Sequence, residues 1–160
     1  MNKSELYQTI LLELEKVHHV AVAAAQRAIE TATDEESEAE NKYDTFGLEA
    51  SYLAQGQSKR VAECETDLIT FKKLKVTDFL TDEAVSIGSV VTLEDENSVF
   101  QMVFISPVAG GLKVKYEKNI ITLVTPSSPI GRAIISGRLG DEIEVNPGEE
   151  RKHYQITDIY

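Results

Sequence analysis

Ser127-Ser128-Pro129-Ile130-Gly131-Arg132-Ala133-Ile134-Ile135-Ser136-Gly137-Arg138-Leu139-Gly140-Asp141-Glu142-Ile143-Glu144-Val145 reads as turn, short helix, glycine turn and acidic strand. Ser127 and Ser128 can cap a helix by accepting an amide of its first turn. Pro129 is tolerated there, because the amide it lacks has no helical partner anyway. Ile130, Ala133 and Ile134, spaced by three and four, give one apolar face. Gly137 and Gly140 let the backbone leave the helix, and Asp141 to Val145 opens an alternation of period two. Core packing and turn formation account for most positions. Arg132 differs, as a cation on a helix beside an acidic strand that can pair with Glu142 or Glu144.

The same period of two recurs upstream. Val85 to Leu93 alternates, Glu94-Asp95-Glu96-Asn97 is a turn, and Val99 to Ile105 follows as a second strand. Pro107 and Gly110-Gly111 end it. Leu112 to Tyr116 alternates again, Ile120 to Val124 is a short apolar run, and Tyr154 to Ile159 forms a last strand after the Pro147-Gly148 turn. The second half is thus a sheet with one short helix.

The first half contains no proline, and its apolar residues step by three and four. One stripe is Leu6, Ile10, Leu14, Val17, Ala21, Ala24, Ala28 and Ala32. The other is Tyr43, Phe46, Ala50, Leu53, Gln57, Val61, Cys64, Leu68 and Phe71. Each stripe is too narrow for a globular core, so the pattern predicts two helices folded into an antiparallel hairpin. At ~1.5 Å per residue, residues 4–32 make an arm roughly 45 Å long. Alanines toward its far end allow close approach, and Gly47 and Gly56 weaken the second helix by about 1 kcal/mol each.

Between the stripes, Asp34 to Asp44 holds six acids and one base, a net of −5, and residues 1–76 as a whole also sum to −5, with fourteen acids and nine bases. The excess charge of the arm is therefore all at its tip. Concentrated like charge costs stability, so the tip points to function. A blander cause is helix capping: Thr33 with Glu36, or Ser37 with Glu40, forms a capping box, which explains two or three of the acids.

Composition bounds the partners. A net charge of −11 over 160 residues argues against a general nucleic-acid binder and for a protein partner with a basic face. The single cysteine, Cys64, forms no internal disulfide and reads as a small buried apolar side chain in a reducing cytosol. The N-terminal run has acids among its apolar residues, unlike a signal peptide, and no apolar stretch approaches a membrane span.

Ser128-Pro129-Ile130-Gly131-Arg132-Ala133 and Gly140-Asp141-Glu142-Ile143-Glu144-Val145 resemble, in order and spacing, two runs of the Gre transcript-cleavage factors, which bind bacterial RNA polymerase. The resemblance extends over nearly the whole chain. It implies an α+β fold with an antiparallel coiled-coil arm (1–76), a linker (77–84), and an FKBP-like antiparallel sheet domain with one short helix (85–160) that docks on the polymerase through loops around Pro107 and Ser127. In that family the coiled coil enters the secondary channel, and its tip acids help hold magnesium and position water while the polymerase hydrolyses backtracked RNA. The implied partners are the polymerase and the nascent RNA 3′ end, with a cytoplasmic monomer and no membrane.

The family's tip reads Asp-Leu-x-Glu-Asn-Ala-Glu-Tyr, a string this chain lacks. Anchored on Glu40-Asn41, the family's aspartate falls on Ser37. Anchored on Arg60-Val61-Ala62-Glu63-Cys64-Glu65, it falls on Glu40, the family's glutamate falls on Tyr43, and Asp44 takes the asparagine's place. Both alignments keep Glu40, and Glu40 with Asp44 is spaced to present two carboxylates on one helical face. Glu40, Asp44, Glu36 and Glu38 are thus the candidate acids, with Glu40 and Asp44 as magnesium ligands shared with the polymerase. A related reading is a channel binder that inhibits polymerase without cleavage. A prolyl-isomerase module is a third, and it meets the absence of the tryptophan that floors such pockets. His18 and His19 are adjacent and cannot chelate one metal together from a helix. Lys59 and Arg60 read as solvated or RNA-contacting cations.

Overall fold

The computed structural model describes residues 1–34, 45–75, 84–146 and 151–160. Two long helices, α1 (Lys3–Thr33) and α2 (Phe46–Lys72), precede strands β1 (Val90–Asp95), β2 (Phe100–Ile105), β3 (Lys113–Tyr116) and β4 (Asn119–Val124). Helix α3 (Pro129–Ile134) and strands β5 (Glu142–Val145) and β6 (Lys152–Ile159) complete the order. The chain divides into two compact units: Leu12–Ile69, and Met1–Leu11 together with Thr70–Tyr160. Most of the linker expected at 77–84 falls outside the described residues.

The Leu12–Ile69 unit is a helical pair. Leu14, Ala21, Ala25 and Ala28 of α1 are buried, as are Ala50, Ala54, Cys64 and Leu68 of α2. The inward residues depart from the expected stripes: Ala25 is buried in place of Ala24, Ala54 is buried in place of Leu53, and Phe46, expected inward, is exposed. Leu53 and Phe46 stand 56% and 55% exposed. A strict seven-residue repeat drifts by about 20° per heptad around a straight helix, so the inward position slips by one residue. Alanines at the seam admit a closer approach than Leu53 would. The His18 and His19 rings lie in a T-shaped arrangement, centroids 6.4 Å apart.

In the other unit the strand order is β3-β4-β2-β1-β6-β5. The sheet is mixed, not the antiparallel one expected: β2 and β4 pair in parallel from Met102↔Ile121 to Ile105↔Val124. The cause lies in residues 106–112, which carry the chain past the β4 position to the sheet edge. The tight β3–β4 hairpin, with Glu117 at φ 52°, then returns β4 alongside β2 in the same direction. Strand β1 starts at Val90, five residues later than the alternation suggests, because Val85 serves as an anchor. Its amide donates to Gly137 O at 2.8 Å, and its carbonyl accepts Ser136 N at 2.8 Å.

Alternation gives the sheet two apolar faces. On one, Val91, Leu93, Val103, Ile105, Val124, Ile143, Val145 and Ile156 pack with Val85 and with Ile134 of α3. On the other, Phe104 meets Phe71 (centroids 6.0 Å apart), which in turn stacks on Tyr7 at 4.9 Å. Tyr7 Oη donates to Phe71 O at 3.1 Å, so the start of α1 meets the end of α2 and the two helices run antiparallel. Tyr116 Oη lies 3.3 Å from both Asn2 O and Glu5 Oε2. Burial, then the Glu5 carboxylate, raises the Tyr116 pKa above its ordinary 10.0, which keeps the hydroxyl a donor.

Candidate functional site

Helix α3 begins where the sequence places it. Ser128, with φ −70° and ψ 156°, is the N-cap: its Oγ accepts Gly131 N at 3.0 Å and donates to Thr125 O at 2.8 Å. Thr125 O also accepts Ser128 N at 2.9 Å, which locks the turn from both sides. Pro129 occupies the first turn, and Ile134 is fully buried with Ile130 and Ala133 packed beside it. Ser136 takes a left-handed φ of 64°, so the reversal expected at Gly137 begins one residue early. Gly140, at φ 88°, completes it. The acidic strand draws its cation from its own hairpin, with Arg151 Nε 3.7 Å from Glu144 Oε1.

The two loops singled out for docking come together. Ser106 N donates to Val124 O at 2.9 Å, and a Cβ on Gly110 would meet Thr125 Cγ2 at 3.2 Å. The loop around Pro107 and the turn around Ser127 therefore share one end of the sheet. Ser106 is fully buried, and its Oγ accepts Val108 N at 3.3 Å, which stiffens the loop from within.

A second feature escaped the sequence reading. Glu94, Gln155 and Glu142 form a row across β1, β6 and β5, with His153 and Glu144 in the next. With Asp95, Glu96 and Tyr154 the row lines an open groove of about 440 Å³. These acids are far apart in the chain, and only the ladder unites them. Among the described residues, no group of three or more His, Cys, Asp or Glu side chains is placed to hold a metal ion. No helix among them is long and apolar enough to cross a membrane.

Residues 80–160, which include the α3 turn and the acidic strand, match the family described as "Transcription elongation factor, GreA/GreB, C-term". The chain belongs to the GreA/GreB family. Transcription elongation factor GreA of Syntrophus aciditrophicus is 25% identical over 154 residues, covering 96% of this chain and 90% of that protein. GreA of Beijerinckia indica is 30% identical over 133 residues, 83% of this chain and 79% of its own. Transcription inhibitor protein Gfh1 of Thermus thermophilus is 23% identical over 128 residues, 77% and 76% of the two chains. A crystal structure of Thermus thermophilus Gfh1 superposes with a TM-score of 0.40 at 20% identity, covering 98% of this chain and 93% of that one.

In this GreA/GreB family member the candidate tip acids Glu36, Glu38, Glu40 and Asp44 lie outside the described residues, as does Tyr43. What the structure places are the two helix ends that bracket them. Asp34 follows α1 and is exposed. At the start of α2, Thr45 Oγ1 donates to Glu49 Oε1 at 2.9 Å, while Thr45 O accepts Glu49 N at 2.9 Å, a one-turn clamp. Leu48 and Tyr52 are 55% and 64% exposed on the same two turns. Arg60 is exposed and lies 3.4 Å from Glu63, a surface pair of little energetic weight.

Proposed function

We propose that this chain binds bacterial RNA polymerase, inserts its helical pair into the secondary channel and stimulates cleavage of backtracked RNA. The observation that carries the reading is the joint presence of two features. The family-matching sheet domain has its Pro107 and Ser127 loops side by side, and a long two-helix element leads into an eleven-residue run with a net charge of −5. The chain acts as a cytoplasmic transcription factor, a monomer in this reading, and the nuclease is the polymerase.

Glu40 and Asp44, four residues apart, are the ligands offered to a magnesium shared with the polymerase. Glu36 and Glu38 are further oxygen donors, and the nascent RNA 3′ end is the substrate they approach. Hard carboxylate oxygens suit that cation, which when bound lowers the pKa of water and offsets phosphate charge. The residues' own part is to hold oxygen donors at the end of a thin, stiff support. Alanines at the seam keep the pair slender, since Ala25 and Ala28 of α1 and Ala50 and Ala54 of α2 are buried there.

A second reading is a channel binder that inhibits. Two observations favour it: the chain lacks the family's tip string, and its relatives include proteins named as transcription inhibitors. An RNA-cleavage assay on stalled, backtracked elongation complexes separates the two. Faster 3′ cleavage with added protein supports the first. Unchanged cleavage with slowed RNA synthesis replaces it with the second.

A further inference from the structure

Two exposed apolar surfaces of this chain, one in each compact unit, have opposite charge around them. The first lies on the start of α2. Leu48 and Tyr52, four residues apart and so neighbours on one helix face, are 55% and 64% exposed, while Ala50 and Ala54 turn the other way into the seam with α1. Glu49 stands between them, held at the helix start by Thr45, and the run that precedes this helix, Asp34 to Asp44, carries a net charge of −5.

The second lies on the sheet. On the face that carries α3, Leu93 and Ile156 are fully buried in the cluster with Ile134, whereas Ile120 and Val99 are 64% and 59% exposed. Ile120 pairs with Lys115, and Thr122 with Lys113, so both lysines share that face at the β3 edge. Residues 113–124 hold three lysines and one glutamate, a net of +2 in a chain that sums to −11. Gln101 lies beside this open half, and its buried Nε2 has no hydrogen-bond acceptor among the described residues. An acceptor brought in by an occupant relieves that cost.

We infer that two copies of this chain associate, each seating the first two turns of its α2 on the open β3–β4–β2 half-face of the other. Three strands at about 4.8 Å spacing span roughly 10 Å, the width of one helix. Leu48 and Tyr52 of one copy cover Ile120 and Val99 of the other, Glu49 meets Lys113 and Lys115, and the Tyr52 hydroxyl oxygen accepts from Gln101. The net −5 run steers the helix toward the lysines and away from the acidic β5 edge, where Glu142 and Glu144 stand. Because each copy both gives and receives the same helix, the two contacts close on themselves and association stops at a dimer. The second contact forms within a complex already joined by the first, which strengthens two individually small interfaces. The dimer covers the start of α2 in both copies and is a resting form, from which dissociation releases the monomer. The association itself does not depend on the polymerase-binding reading, and it is tested without polymerase.

The test is sedimentation velocity of the full-length protein over rising concentration, with a shift from monomer to dimer and no larger species expected. Leu48→Ser/Tyr52→Ser and, separately, Lys113→Glu/Lys115→Glu are each expected to weaken the dimer by about tenfold or more, while Lys113→Arg/Lys115→Arg and Glu142→Gln/Glu144→Gln retain it. All the substituted side chains are exposed, and equal melting temperatures verify the fold. The seating is read directly by mixing a Tyr52→Cys protein with an Ile120→Cys protein under mild oxidation. A disulfide-linked pair is expected from the mixture in preference to either variant alone, since the native Cys64 is buried. A parent that stays monomeric at every concentration overturns the proposal. So does a dimer that both loss variants leave unchanged, or one whose mixed cysteine variants do not cross-link.

Discussion

A Cβ added to Gly131 would collide with the carbonyl oxygen of Thr125, so the first turn of α3 rests directly on the end of β4. That oxygen already accepts two hydrogen bonds from Ser128 and is fixed by them. The close approach explains why a glycine sits within a short helix, where it would otherwise cost about 1 kcal/mol.

Gly131→Ala is therefore expected to destabilise the sheet unit by about 2–3 kcal/mol, because backbone must move to admit one methyl group. Thermal unfolding followed by near-ultraviolet circular dichroism checks it. A melting temperature equal to that of the parent would show that the turn is not the rigid seat described.

Gly56 is the opposite case. It lies within α2, and nothing stands within 4 Å of a Cβ built on it. Gly56→Ala is expected to stabilise the helical pair by about 0.5–1 kcal/mol, through lower unfolded-chain entropy. Increased helix signal and slower amide exchange within Leu12–Ile69 are the readouts.

Asp67 gives the helical unit a pH dependence. Burial raises its pKa above the ordinary 3.8, opposed by Arg60 and reinforced by Glu63. The sign follows from linkage. A carboxyl with a raised folded pKa contributes its full stability below the unfolded value, and that contribution is lost as pH rises through the folded value. Asp67→Asn is thus expected to melt with the parent near pH 3 and above it at pH 7. Melting curves that separate at low pH and converge at neutral pH would contradict this.

Gln101 bears on stability. Replacing it with methionine removes a buried donor that has no acceptor among the described residues and keeps the side-chain length, so the free protein is expected to gain about 1 kcal/mol. Chemical denaturation measures the gain. A loss instead would mean that the amide is satisfied in solution.

What was legible in the sequence was whatever local chemistry specifies. The Ser128 cap, Pro129 in the first turn and the Glu142–Val145 alternation are written in neighbouring residues, and the structure places each where the pattern did. The parallel β2–β4 pairing was not legible, because a strand's own alternation says nothing about its neighbour's direction. Nor was the open lysine-bearing face. Lys113 and Lys115 read simply as the polar side of a strand until the register sets them beside Ile120 and Thr122. Leu53 and Ala54 differ by 100° around the helix, and which one turns inward depends on what α1 presents opposite.

The tip carries the sharpest functional prediction. Glu40→Gln with Asp44→Asn removes two carboxylates from a run whose net charge is −5, and each neutral amide is a poorer donor to a hard dication. Stimulated RNA cleavage is expected to fall by at least about tenfold in the double variant, while equilibrium binding to polymerase, which the sheet domain dominates in this reading, changes little. The two measurements on one variant separate chemistry from docking. Cleavage equal to that of the parent would shift the role to Glu36 and Glu38 or remove it from the tip altogether. A parallel loss of binding would make the run a docking element whose charge holds the chain in the channel.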